Sequence, residues 1–232
     1  MKRLIIFSHH FVNEFVTENF NKLKNLNPDW DIISVGFPNY NLLSNSLIVN
    51  KYKYPTNHDL KFQADRDYTC ERHIDWFDAD LFLYETYFQF PNYDAYFLYE
   101  YDTISNVSID DFFDTSLDFF GNDIWENVSE SYYWLNLYRL LNQYNSSLDN
   151  ISTWGQCTAI YVTNKILKNV VNEIINNKHL YCNMLSEIRG GTLIKKFTSL
   201  KRGKHNIREF ISWEKSLINI DLSIPHFFHP VK

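Results

Sequence analysis

The chain has 232 residues, 45% of them hydrophobic and 22% charged, which supports one packed domain and excludes global disorder. Its formal net charge is −6, so an extended nucleic-acid groove, which needs a basic surplus, is not expected. Cys70, Cys157 and Cys182 lie far apart and form no CxxC pair, which excludes a zinc finger or a disulfide framework and points to a reducing, cytoplasmic compartment. No apolar run approaches the roughly 18 residues of a membrane helix. The short run before His9-His10 is too brief for a signal peptide. Aromatic residues reach 18%, which predicts a large-residue core and leaves some rings for a flat or ring-shaped ligand.

Lys2–Phe7 is a short, β-branched apolar run and reads as a buried parallel strand. Phe15, Val16, Phe20, Leu23 and Leu26 then recur at helical spacing, with Asn13 placed to cap the helix and Pro28 to end it. Residues 30–36 form a second strand. Strand, helix, strand is a βαβ unit and predicts a three-layer α/β/α fold with a mostly parallel central sheet. Leu60–Asp80 is expected to be helical in part, and Leu81–Tyr84 is ambiguous. Tyr93–Tyr99 is the next clear strand and runs into Glu100-Tyr101-Asp102. Ile109–Phe113 begins another element, and Leu117–Phe120 reads as a strand. Tyr132–Tyr144 has the spacing of an aromatic-rich helix. Gly155–Val162 reads as a strand, followed from Asn164 by an amphipathic helix that buries Ile166, Leu167, Val170, Val171 and Ile174. Tyr181–Lys196 is expected to be a helix interrupted at Gly190-Gly191. No repeat or flexible linker divides the chain, so residues 1–232 are read as one domain, with halves 1–120 and 121–232.

Four places have the residue types for chemistry. Glu100 and Asp102 stand at the end of an apolar strand, where open α/β sheets bind ligands. Two carboxylates there suit a hard cation such as Mn²⁺ or Mg²⁺, held jointly with substrate phosphates. His226 and His229 sit three apart between Pro225 and Pro230, and neutral imidazole is a common metal ligand. Glu187 stands beside Gly190-Gly191, where it could serve as a general base; it reads equally as a helical acid paired with Arg189 or Lys195. Ser8-His9-His10 closes the first strand, where a base or ribose would rest in a βαβ fold. Neither GxGxxG nor GxxxxGK[ST] is present, so dinucleotide and P-loop readings lose their support. No G-x-S-x-G elbow is present for a hydrolase. Cys157 reads as an inert thiol in a buried strand.

Taken in order, these parts resemble GT-A-type glycosyltransferases, which transfer a sugar from a nucleotide-sugar donor. The residues that carry the resemblance are Lys2–Phe7 with Asn13–Gly36, Tyr96–Asp102, Gly155–Leu167, Ser186–Thr192 and His226–Lys232. The resemblance implies that Asp102 binds a divalent metal, Mn²⁺ or Mg²⁺, and that Glu100 contacts the ribose or a metal-bound water. It implies that the late histidine, His229 in preference to His226, completes the metal shell. Glu187 would be the base that activates the acceptor. Ser8 and His9 would lie near the nucleotide, with Arg66 and Lys232 as contacts to the diphosphate. Tyr84, Tyr101 and Trp154 are candidates to stack on sugar faces. The first acid of the triplet is Glu where the family has Asp, which leaves a metal-independent variant open.

The implied partners are a nucleotide-sugar donor and a glycan or glycolipid acceptor in surface polysaccharide synthesis, with no nucleic acid. Lys195, Lys196, Lys201, Arg202 and Lys204 leave peripheral contact with a membrane's inner face open, and a solvated charged surface is the alternative. Two other functions compete: a non-catalytic glycan- or protein-binding module on the same fold, and a metal-dependent nucleotidyl- or phosphotransferase.

Overall fold

The computed structural model describes, with side chains, residues 1–38, 40–49, 79–119, 121, 159–177, 181, 184, 186 and 188–198. Backbone alone is described for 61–65, 68–71, 120, 124–126, 152–154, 187, 211–212 and 227–228. The chain begins with β1 (Arg3–Ser8), α1 (Glu14–Leu26), β2 (Asp31–Gly36) and β3 (Leu47–Ile48). A hairpin of β4 (Lys61–Asp65) and β5 (Tyr68–Glu71) follows, then α2 (Leu81–Gln89), β6 (Ala95–Glu100), β7 (Ile104–Ser105), α3 (Ile109–Phe112) and β8 (Phe119–Phe120). Next come β9 (Ile124–Glu126), β10 (Ser152–Trp154), β11 (Ala159–Thr163), α4 (Asn164–Asn176) and α5 (Ser186–Phe197). The last two strands are β12 (Ile211–Ser212) and β13 (Phe227–Phe228).

The main sheet has six strands in the order β3-β2-β1-β6-β11-β8. The pairs β3–β2, β2–β1 and β1–β6 are parallel, whereas β11 is antiparallel to both β6 and β8. The protein is therefore α/β with a mostly parallel sheet, as the βαβ reading predicts. Because β11 enters between β6 and β8, the sheet draws strands from both halves of the chain.

Both faces of the sheet are buried, which is why its strands are continuous apolar runs instead of alternating ones. Leu4, Ile6, Tyr96, Leu98, Ile160 and Val162 point to one face, where α2, α4 and α5 contribute Leu83, Leu167 and Leu193. Ile5, Phe7, Phe97, Tyr99 and Tyr161 point to the other, where α1 and α3 contribute Val16, Leu23 and Ile109. Asn13 caps α1, its Oδ1 accepting from Val16 N at 2.9 Å. Helix α4 buries the five apolar residues its spacing predicts.

Three expectations are corrected. Residues 61–65 and 68–71 pair as the β4–β5 hairpin where helix was expected in part, and 66–67 and 72–78 lie outside the described residues. Leu81–Tyr84 opens a helix, and Tyr84 is 1% exposed in the core, so it presents no ring to a sugar. Gly190-Gly191 does not interrupt the last helix. Helix α5 runs through both glycines, and residues 188–194 are all buried. Each glycine costs about 1 kcal/mol against alanine. Helix α5 packs against β9, β10 and α4. The expected helix at Tyr132–Tyr144, with Cys157 and Trp154's side chain, lies outside the described residues. Among the described residues no helix is long and apolar enough to cross a membrane.

Candidate active site

The carboxyl ends of β1 and β6 lie side by side, with Ser8 in register with Glu100. Glu100 is the last strand residue, and a tight turn follows in which Thr103 N donates to Glu100 O at 3.0 Å. Asp102 stands within that turn. Tyr101 N donates to Ser8 O at 2.9 Å, which ties the turn to the end of β1. Helix α1 supplies a further tie. The amide of Asn19 donates to Tyr101 O at 2.8 Å and to Thr103 O at 2.7 Å. Asp102 is thus carried between two anchored carbonyls.

Beside the turn sits a cluster of rings. His10 packs edge-to-face on Tyr101, with centroids 4.7 Å apart, and on Phe11 at 4.8 Å. Phe11 and Tyr101 meet edge-to-face at 5.0 Å, and Tyr40 lies 5.9 Å from His10. His10 is exposed and Tyr101 partly so. Burial lowers the His10 pKa below its ordinary value, opposed by the negative charges of Asp102 and Glu100. Burial and the same two acids push the Tyr101 phenol up to about 12. Tyr101 therefore stays neutral, with His10 and Phe11 packed against its ring.

Ser8 and His9 form the floor of this edge, both buried. Ser8 Oγ faces Tyr99 O at 3.4 Å. His9 Nδ1 lies 3.2 Å from Phe11 O, so that nitrogen carries the proton and donates. Its Nε2 lies 3.5 Å from Ser46 Oγ, which is also 2.6 Å from Ser34 Oγ and donates to Leu43 O. His9 N donates to Val35 O at 3.0 Å, which ties the residue after β1 to β2, and His10 takes the exposed position. Sequence reasoning chose His9 and treated His10 only as part of a polar edge. No local signal separates the two, because β1 ends at Ser8 and strand alternation does not reach the doubled pair.

Two predictions concern this floor. Gly36 ends β2 where an added Cβ would meet His9 O at 2.7 Å and also collide with the Leu42 side chain. Leu42 can rotate away, but the His9 carbonyl is backbone. Gly36→Ala is expected to destabilise the fold by about 1–3 kcal/mol, read by chemical denaturation. The second concerns pH. Burial holds the folded-state pKa of His9 below its ordinary 6.5, with the Phe11 carbonyl opposing and His10 adding to the lowering. The unfolded chain then binds this proton more readily than the folded one. Stability from His9 is complete above pH 6.5 and is lost as pH falls through the folded-state value. The melting temperature should drop between pH 7.5 and 5.5, and drop less in His9→Gln.

The C-terminal strand reaches the same place. β13 pairs antiparallel with β7, Phe228 opposite Ile104 and Phe227 opposite Ser105. Ile104 comes two residues after Asp102, and His229 follows Phe228 in the chain. His226, His229, Lys232 and Arg66 themselves lie outside the described residues. Glu187 falls in the first turn of α5, where an acid suits the helix dipole, and its side chain also lies outside them. Arg189 pairs with Asp80. Its Nε donates to Asp80 Oδ2 at 2.8 Å, its Nη2 to Asp80 Oδ1, and its Nη1 to Met184 O at 3.1 Å. Of the lysines in the basic patch, Lys196 pairs with Glu173 at 2.7 Å, and 201–204 lie outside the described residues.

Among the described residues no group of three His, Cys, Asp or Glu side chains is close enough to hold a metal ion. Glu100 and Asp102 supply the oxygen donors that Mn²⁺ or Mg²⁺ takes, in a turn that leaves both acids partly exposed. This donor set fits a cation completed by one imidazole and substrate phosphates. A scan against protein-family models finds no match, and a search of curated proteins finds no relative.

Proposed function

We propose that the chain is a GT-A-type glycosyltransferase that moves a sugar from a nucleotide-sugar donor to a glycan or glycolipid hydroxyl in surface polysaccharide synthesis. The observation that carries the reading is the β7–β13 pairing. It ties the C-terminal strand, some 125 residues downstream, to the residues directly after Asp102. The late-histidine segment and the E-x-D turn are the two parts such a donor site needs together.

In this reading Asp102 holds a divalent cation, Mn²⁺ or Mg²⁺, with His229. Bound there, the cation offsets the negative charge that gathers on the departing diphosphate. Glu100 takes the ribose or a metal-bound water. Tyr101 and the rings around His10 offer faces and edges to the base. Lys232 and Arg66 serve the diphosphate. Glu187, on the rigid helix α5, takes the proton from the acceptor hydroxyl.

A thermal-melting panel of nucleoside diphosphates, each with and without Mn²⁺, tests this. One nucleotide should raise the melting temperature by several degrees, and only with metal. A panel in which no nucleotide shifts the melt would favour a binding module on this fold.

A further inference from the structure

We infer that Asn19 is a positioning residue for Asp102, an inference that rests on the proposed donor site. Residues 16, 19 and 23 form the inward stripe of α1, and the other two are Val16 and Leu23. The helical period calls for an apolar side chain at 19. An amide stands there instead, 5% exposed. A buried amide without partners is costly, so its bonds show what it is for.

Both bonds go to one turn. The partners are carbonyl oxygens, so the bonding group is the Asn19 NH₂, and both of its protons are used. One carbonyl belongs to Tyr101, immediately before Asp102, and the other to Thr103, immediately after it. Thr103 also leads directly into β7, the strand that receives β13. The Asn19 amide therefore fixes two things together: the direction in which Asp102 leaves the backbone and the root of the strand that brings in the C-terminus.

Asn27 provides an internal comparison. It is 2% exposed and caps the same helix. Its Nδ2 donates to Leu23 O at 2.8 Å and its Oδ1 accepts from Ile109 N at 2.7 Å, so its bonds go to helix ends and not to the acidic turn. Asn19→Leu and Asn27→Leu both remove two buried hydrogen bonds, and only the first releases Asp102.

The test is hydrogen–deuterium exchange of ligand-free wild type, Asn19→Leu and Asn27→Leu, followed by Mn²⁺–nucleoside diphosphate affinity. In Asn19→Leu the peptide covering 99–105 should exchange about tenfold faster, and in Asn27→Leu it should not. Affinity should weaken by about tenfold or more in Asn19→Leu alone. If Asn19→Leu does not fold, Asn19→Ser, which keeps one donor, should show a smaller change of the same kind. Wild-type exchange at 99–105 in the Asn19 variants, or equal acceleration there in Asn27→Leu, would overturn the inference. Failure of the wild type to bind any nucleotide sinks the proposed donor site and leaves the exchange result to decide the role of Asn19.

Discussion

Asp102→Ala is expected to abolish metal-dependent nucleotide binding while leaving the fold intact. Asp102 is partly exposed and sits in a turn held by backbone and by Asn19. A nucleotide at about 100 times its dissociation constant adds roughly 2.7 kcal/mol to the wild type. That is a rise of several degrees in a chain of this size. The variant should melt within about 2 °C of wild type without ligand and show no rise with it. Glu100→Gln should be milder, because ribose contact survives the loss of charge better than metal ligation does. Equal ligand shifts in wild type and Asp102→Ala would remove the acid from the site.

Arg189→Met is expected to have the largest effect on stability. The Asp80 carboxylate is fully buried and Arg189 is 2% exposed, and two parallel hydrogen bonds join them. Asp80 stands at the start of α2 but makes no capping bond to its own helix. The pair instead fastens α2 to α5, the helix that carries Glu187. Removing the guanidinium takes away the countercharge of a buried carboxylate, at a cost of about 3–5 kcal/mol. The melting temperature should fall by roughly 10 °C. Asp80→Leu combined with Arg189→Met should recover much of the loss, because no uncompensated charge remains. A single variant within about 1 kcal/mol of wild type by denaturation would show that the pair carries no such weight.

A second tie joins α5 to α4 and has its own pH window. Glu173 accepts from Lys196, from Tyr181 Oη at 2.9 Å and from Asn177 Nδ2 at 3.0 Å. Burial raises its pKa, but these donors outweigh it and hold the group below the usual carboxylate value. Its contribution is present above pH 4.5 and is lost as pH falls through the folded-state value. Glu173→Gln should therefore flatten the acid limb of the stability curve.

The sheet was legible because its signal is local. β1, β6 and β11 are apolar runs, and α1 and α4 repeat at helical period with Asn13 as a visible cap. The E-x-D triplet at the end of β6 was legible for the same reason. What was not legible depends on partners distant in sequence. Nothing near Gly190-Gly191 shows that β9 and β10 approach that helix, so two glycines read as a break. Nothing near Arg189 identifies Asp80, which lies 109 positions away. Asparagine was the most misleading residue type. Asn13 and Asn164 were legible as helix starts, whereas nothing local marked Asn27, yet Asn19 and Asn27 each bond to backbone that holds an element in place. An apolar position filled by a polar residue is the one hint that Asn19 gave.

The most direct measurement is release of free nucleoside diphosphate from a panel of nucleotide sugars, followed by chromatography, with wild type and Asp102→Ala side by side in Mn²⁺. The account predicts that one donor is cleaved by the wild type, that chelation of the metal stops the reaction, and that Asp102→Ala releases nothing above background. No cleavage of any donor, together with no melting shift from any nucleotide, would contradict it.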